Sequence, residues 1–117
     1  MNDNVSTSHE PVPLRLVEVD LPYEEKRRPG AAWFKYRMDD PSPVGLVFAC
    51  PCGCGHLGAV NFAGKRMGSP EWQVYGTWPK VTLQPSIGFR LGIPEMNTRP
   101  DGYHWHGWLR SGMFESA

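Results

Sequence analysis

The sequence lacks an excess of charge of either sign. Its 117 residues include 12 basic and 12 acidic side chains, so the formal net charge is zero. Proteins that bind phosphate backbones normally carry a basic excess. Here the single basic cluster, at residues 26–28, directly follows Glu24 and Glu25. The charge distribution therefore argues against nucleic acid as a partner.

Long apolar runs are also missing. No stretch approaches the roughly 18 residues that a membrane-spanning helix requires. The N-terminal stretch MNDNVSTSHEPVP has no basic region followed by an apolar core, as a secretory signal would. We therefore expect a soluble protein that is not secreted and has no membrane partner.

Helical periodicity is absent as well, and no span of twelve residues shows a convincing 3.6-residue pattern. The chain has 13 Gly and 12 Pro, which disfavour long helices but are normal in turns between short strands. Five Trp, four Tyr and five Phe supply large apolar surfaces for a small core. The sequence predicts an all-β domain, a small antiparallel sheet or sandwich stabilised by a metal.

Several segments alternate apolar and polar residues as half-buried strands do. The alternation is clearest at residues 103–110, where His104, His106, Trp108 and Arg110 are expected on one face. Residues 13–21 predict another strand and residues 23–30 a loop. We expect residues 1–12 to form an extended N-terminal arm and residues 13–117 a single zinc-binding β domain.

What the sequence does contain is a concentrated group of thiols. All three cysteines, Cys50, Cys52 and Cys54, lie in the stretch FACPCGCGHLG. An odd number of cysteines cannot form a full set of disulfides within one chain, and the spacing is neither that of a dithiol redox motif nor that of haem attachment. Pro51, Gly53 and Gly55 would let the loop curl around an ion. We therefore expect a soft metal site, with zinc as the ion.

A closed zinc site needs a fourth ligand, and histidine is the usual addition to three thiolates. His56 is close in sequence but would close little of the fold. His104 and His106 lie about fifty residues downstream, so either would cross-link two distant parts of the domain. The residue pattern favours His106, with His104 and His56 as alternates.

The motifs VFACPCGCG, VTLQPSIGF and the His106 segment with Leu109, Gly112 and Phe114 together resemble an uncharacterised family of small bacterial and phage proteins. Members of that family carry a CPCGC loop, and some are encoded near ubiquitin-like conjugation genes. The resemblance covers residues 44–114 and implies zinc held by Cys50, Cys52, Cys54 and His106. The family has a further cysteine where this chain has Tyr103, which leaves the ligand set open.

These observations favour a non-enzymatic, zinc-stabilised binding or assembly module without catalytic residues. Its concrete form would be a phage or prophage virion accessory protein, a capsid decoration or tail-associated protein in the virion or the cytoplasm, with protein subunits of a larger assembly as partners. One alternative is a zinc-dependent hydrolase or a conjugation-pathway accessory. Another is a nucleic-acid-binding, zinc-ribbon-like module in which Trp72, Trp78 and Trp108 stack on bases.

Overall fold

The computed structural model describes residues 10–117, and most of the predicted N-terminal arm lies outside them. The regular elements of the described chain are almost all strands, which confirms the predicted all-β fold class. Its one α-helix is a single turn, α1 (Tyr23–Lys26), where the sequence predicted a loop. No helix in the described part of the chain is long and apolar enough to cross a membrane.

One four-stranded sheet is formed by β2 (Arg15–Leu16), β3 (Ala31–Arg37), β4 (Asp40–Ala49) and β5 (Leu57–Asn61), in that order. The β3–β4 and β4–β5 pairs are antiparallel, whereas β2 pairs with β3 in parallel. Strand β4 ends just before the first cysteine, and β5 begins after the last. The cysteine loop is therefore the connection of a β-hairpin.

The first sheet is followed along the chain by a short antiparallel hairpin of β6 (Gln73–Tyr75) and β7 (Thr82–Gln84). The second four-stranded sheet contains β1 (Val12–Pro13), β8 (Ile87–Phe89), β9 (Trp105–Arg110) and β10 (Met113–Ser116). Its spatial order is β1–β10–β9–β8, with every pair antiparallel. A 3₁₀ turn at Pro94–Met96 lies in the long connection from β8 to β9.

The predicted strand over residues 13–21 is divided between the two sheets. Val12 and Pro13 pair with β10, while Arg15 and Leu16 pair with β3. The buried Leu14 lies between them, and its backbone N–H donates to the carbonyl of Gly112. The chain changes sheets at this point, so one long strand cannot form.

Aromatic and aliphatic side chains fill the space between the sheets. Phe48 and Phe114 are buried, with ring centroids 5.0 Å apart, and Trp105 packs edge-on against Phe114. On β9 the buried residues Trp105, Gly107 and Leu109 face this core. The alternation of strand residues then directs His106, Trp108 and Arg110 to the opposite face, as the sequence predicted.

Candidate active site and metal centre

The cysteine loop folds back on itself at the end of β4. The backbone N–H of Cys50 donates to the carbonyl of His56 at 2.8 Å, and that of Gly53 donates to the carbonyl of Cys50 at 3.1 Å. Gly53 and Gly55 adopt φ angles of +89° and +85°, which residues with side chains rarely tolerate. These turns bring the alternate cysteines together instead of spacing them along a strand.

The three thiols and one histidine form a compact donor group. The sulfur of Cys52 lies 3.2 Å from that of Cys50 and 3.4 Å from Nε2 of His104, and the sulfur of Cys54 lies 3.2 Å from the same nitrogen. The four donor atoms are all within 4.8 Å of one another. This separation is compatible with the coordination sphere of one tetrahedral ion.

Other contacts orient the donors. Nδ1 of His104 is 2.7 Å from the carbonyl oxygen of Met96, which fixes the ring so that Nε2 faces the sulfurs. The hydrogen bond from Cys50 lowers the pKa of Cys52 to about 5. The same hydrogen bond, together with burial, raises the pKa of Cys50. Of these two thiols, Cys52 is therefore the one that more readily becomes a thiolate.

The structure places His106, the histidine favoured by the sequence, away from the thiols. Its Nδ1 lies 3.0 Å from Oδ2 of Asp101, and its Nε2 lies 3.1 Å from Oγ of Ser86. The alternate His104 occupies the fourth donor position. His56 contributes a backbone N–H to Cys54, at 3.4 Å from the sulfur, but its ring is not part of the donor group.

The register of the β8–β9 pair explains why Ser86 reaches His106. His106 is directly opposite Gly88, and Ser86 precedes Gly88 by two positions. Residues two apart on a strand face the same side, and diagonal neighbours across a pair are within side-chain reach. A Cβ on Gly88 would come within 3.0 Å of the Tyr103 ring, so glycine leaves room for the loop that carries Asp101.

Asp101 is held by two further groups on its own loop, Arg99 and Tyr103. Nε of Arg99 donates to Oδ1 and Oδ2 at 3.2 and 3.3 Å, and the backbone N–H of Tyr103 donates to Oδ1 at 3.1 Å. Hydrogen bonds from Arg99, with smaller contributions from the Tyr103 backbone and from His106, lower the pKa of Asp101 to about 2. The carboxylate is thus ionised at neutral pH and faces one nitrogen of His106.

The His106 imidazole therefore lies between the Ser86 hydroxyl and the Asp101 carboxylate and contacts both. With the Nδ1 proton donated to Asp101, Nε2 of His106 is free to accept the proton of the Ser86 hydroxyl. This is the relation between nucleophile, base and orienting acid that serine hydrolases use on many unrelated folds. The side chains of His106 and Asp101 keep 26% and 34% of their surface exposed, so a substrate can approach them.

A protein-family comparison agrees with this geometry. The model described as "Bacterial ubiquitination-like system serine protease (BubE)" matches residues 19–117. The chain belongs to the BubE family. Comparisons with curated proteins and with solved structures gave no match.

Membership of the BubE family corrects two expectations. The prediction of a non-enzymatic module was wrong, and so was its concrete form as a virion accessory protein, because the family is described as a serine protease. The resemblance to a bacterial family of small proteins with a cysteine cluster is confirmed at that level. Its extension to phage proteins remains a prediction.

Sequence reasoning missed Ser86 and did not give Asp101 a role beside His106. Both were visible as residue types: Ser86 lies in the motif VTLQPSIGF, and Asp101 precedes His106 by five positions. A search for serine, histidine and carboxylate within residues 86–106 would have suggested the combination. The cluster of three thiols instead favoured metal ligation as the functional role of a histidine.

Proposed function

We propose that the chain is a serine protease of a bacterial ubiquitination-like system, with Ser86 as nucleophile, His106 as general base and Asp101 as the acid that orients it. The observation that carries this proposal is the pair of contacts at His106, 3.1 Å to the Ser86 hydroxyl and 3.0 Å to the Asp101 carboxylate. The BubE family description supplies the reaction class and the biological system.

The reaction follows from the positions of these atoms. Oγ of Ser86 attacks the scissile carbonyl carbon while its proton passes to Nε2 of His106. The imidazolium that forms is stabilised by the Asp101 carboxylate and then donates its proton to the leaving amine. Water, deprotonated by His106, hydrolyses the acyl-enzyme ester, which regenerates the Ser86 hydroxyl and releases the carboxylic acid.

We further propose that Cys50, Cys52, Cys54 and His104 hold a zinc ion. Three soft thiols and one oriented imidazole suit zinc, and their mutual separation of at most 4.8 Å supports binding of a single ion. With four protein ligands the ion would be structural, supplying fold closure but no open position for catalysis. His104 is two residues before His106, so the site would also fix the start of the strand that carries the base.

Cleavage of a protein substrate tests the function. The wild-type chain is incubated with the proteins of a bacterial ubiquitination-like system, and the products are identified by intact mass. We expect discrete cleavage by the wild type and none by Ser86→Ala or His106→Ala. Ser111→Ala is the matched control, because Ser111 is an exposed serine in the β9–β10 turn. Cleavage that survives in folded Ser86→Ala would refute the assignment.

A further inference from the structure

A groove of about 500 Å³ opens beside Ser86. One wall is the β6–β7 hairpin, where Gln73 and Gln84 are directly paired across the strands. The other wall is the outer face of β9, with Trp108 and Arg110. We name this feature the Trp108 groove. Its volume is within the range of ligand-binding pockets, and the proposed nucleophile is one of its lining residues.

The Trp108 groove is continuous with the catalytic residues. Trp108 follows His106 on the same face of β9, and the two ring centroids are 6.1 Å apart. The side-chain amides of Gln73 and Gln84 can both donate and accept hydrogen bonds, as an extended peptide backbone requires. A chain whose scissile bond is at Ser86 would therefore extend between these amides and the indole face.

The described lining of the Trp108 groove contains a positive charge and no negative charge. Among the described residues that line it, Arg110 alone carries a charge. Its guanidinium lies over the Trp108 ring, 4.3 Å from the centroid, which restricts its orientation. Nη1 donates to Oε1 of Glu115 at 2.9 Å. A guanidinium has five N–H donors, so this one contact leaves capacity for a second carboxylate.

The consequences for a substrate differ with the sign of its charge. An acidic side chain entering the Trp108 groove would meet the free edge of Arg110. A basic side chain would meet no carboxylate in the described lining and would be repelled by Arg110. Neutral side chains would bind with an affinity between those of acidic and basic side chains.

We propose that the Trp108 groove binds the substrate chain beside the scissile bond and that Arg110 selects an acidic residue there. This inference rests on the proposed protease function for its biological meaning, although the binding preference itself does not require catalysis. The Arg110 side chain is 51% exposed, so solvent screens the interaction. We expect about a two- to five-fold difference in affinity for each unit change of charge.

The test uses the intact chain carrying Ser86→Ala, which keeps the groove but cannot turn over peptide. The probes are fluorescein-labelled decapeptide libraries in which one position at a time is fixed as Glu, Gln or Lys and the others are neutral. Binding is measured by fluorescence anisotropy at low and at high salt. Arg110→Glu and Arg110→Lys are compared in the same background. Arg15→Glu is the matched control, since Arg15 is exposed on the other sheet.

For one of the positions fixed in the libraries, we expect the highest affinity with Glu, a lower affinity with Gln and the lowest with Lys. These differences in affinity should shrink at high salt. Arg110→Glu should reverse the order, whereas Arg110→Lys and Arg15→Glu should keep it. An order that Arg110→Glu leaves unchanged, a preference for Lys in the parent, or no binding by any library would overturn the proposal. Melting temperatures confirm that each variant is folded.

Cleavage of the same libraries by the chain with Ser86 intact separates the two claims. If the acidic preference holds but no library is cleaved at a Ser86-dependent site, the proposed protease function fails and the groove assignment stands. If cleavage depends on Ser86 but neither binding nor cleavage responds to charge reversal at Arg110, the groove assignment fails and the protease function stands.

Discussion

Replacing His104 with alanine should weaken the fold far more than the same change at its neighbouring histidines. His104 is the donor that joins the cysteine loop to the start of β9, and it is 50 positions from Cys54. Without its imidazole, the remaining thiolates can bind an ion only within their own loop. The cross-link between the two sheets is then lost, although the cysteines remain.

The size of the effect follows from the length of chain that the cross-link closes. Treating the metal as a covalent link, closure of a loop of about 50 residues restricts the unfolded chain by about 4 kcal/mol at 25 °C. For a domain of this size, 1 kcal/mol changes the melting temperature by about 4 °C. His104→Ala should therefore lower the melting temperature by roughly 15 °C when zinc is present.

The assay is thermal unfolding followed by circular dichroism, with zinc content measured by elemental analysis. His56→Ala is the matched control, because its ring is outside the donor group while its backbone contacts remain. It should keep the metal and unfold close to the wild-type temperature. Chelator should lower the wild-type melting temperature to that of His104→Ala. Equal melting temperatures for the two histidine variants would refute the cross-link.

Three other outcomes are expected. His106→Ala should abolish peptide hydrolysis while retaining one zinc per chain by elemental analysis; loss of the zinc would contradict the separation of the two sites. Asp101→Asn should reduce kcat by about three to four orders of magnitude, because the amide no longer holds the Nδ1 proton toward itself; a change within tenfold would remove Asp101 from the mechanism. Asp40→Asn should lower the melting temperature at neutral pH, where hydrogen bonds from Ser42 and the contact with Lys65 depress the pKa of the native Asp40 carboxyl. A carboxyl whose pKa is lower in the folded than in the unfolded state stabilises the fold above the unfolded pKa of about 3.9, and this stabilisation is lost as the pH falls. The difference in melting temperature between the wild type and Asp40→Asn should therefore shrink below about pH 4. A difference that stays constant with pH would contradict this.

Local sequence pattern was sufficient for the elements whose residues alternate strictly. The outward face of β9, with His106 and Trp108, follows from the period of two in residues 103–110. The glycines of the cysteine loop likewise indicated the tight turns that now bring the thiols together. In each case a short-range physical constraint, a pleat or a permitted φ angle, determines the outcome.

The two histidine positions could not be assigned in this way. The alternating pattern predicted that His104 and His106 share one face of a strand. The strand β9 begins at Trp105, so His104 precedes it and its side-chain direction does not follow from the strand period. What brings Ser86 beside His106 is the register of β8 with β9, which depends on pairing between distant segments. Such long-range pairing leaves no periodic signal in either segment alone.

Active-site labelling tests the proposed catalytic Ser86–His106–Asp101 arrangement most directly. A fluorophosphonate reacts with a serine hydroxyl only where a neighbouring base activates it, and proteolysis followed by mass spectrometry locates the adduct. We predict stoichiometric labelling of Ser86 in the zinc-loaded wild type and none in folded His106→Ala. An unlabelled Ser86 in folded wild-type protein, or equal labelling in His106→Ala, would contradict the account.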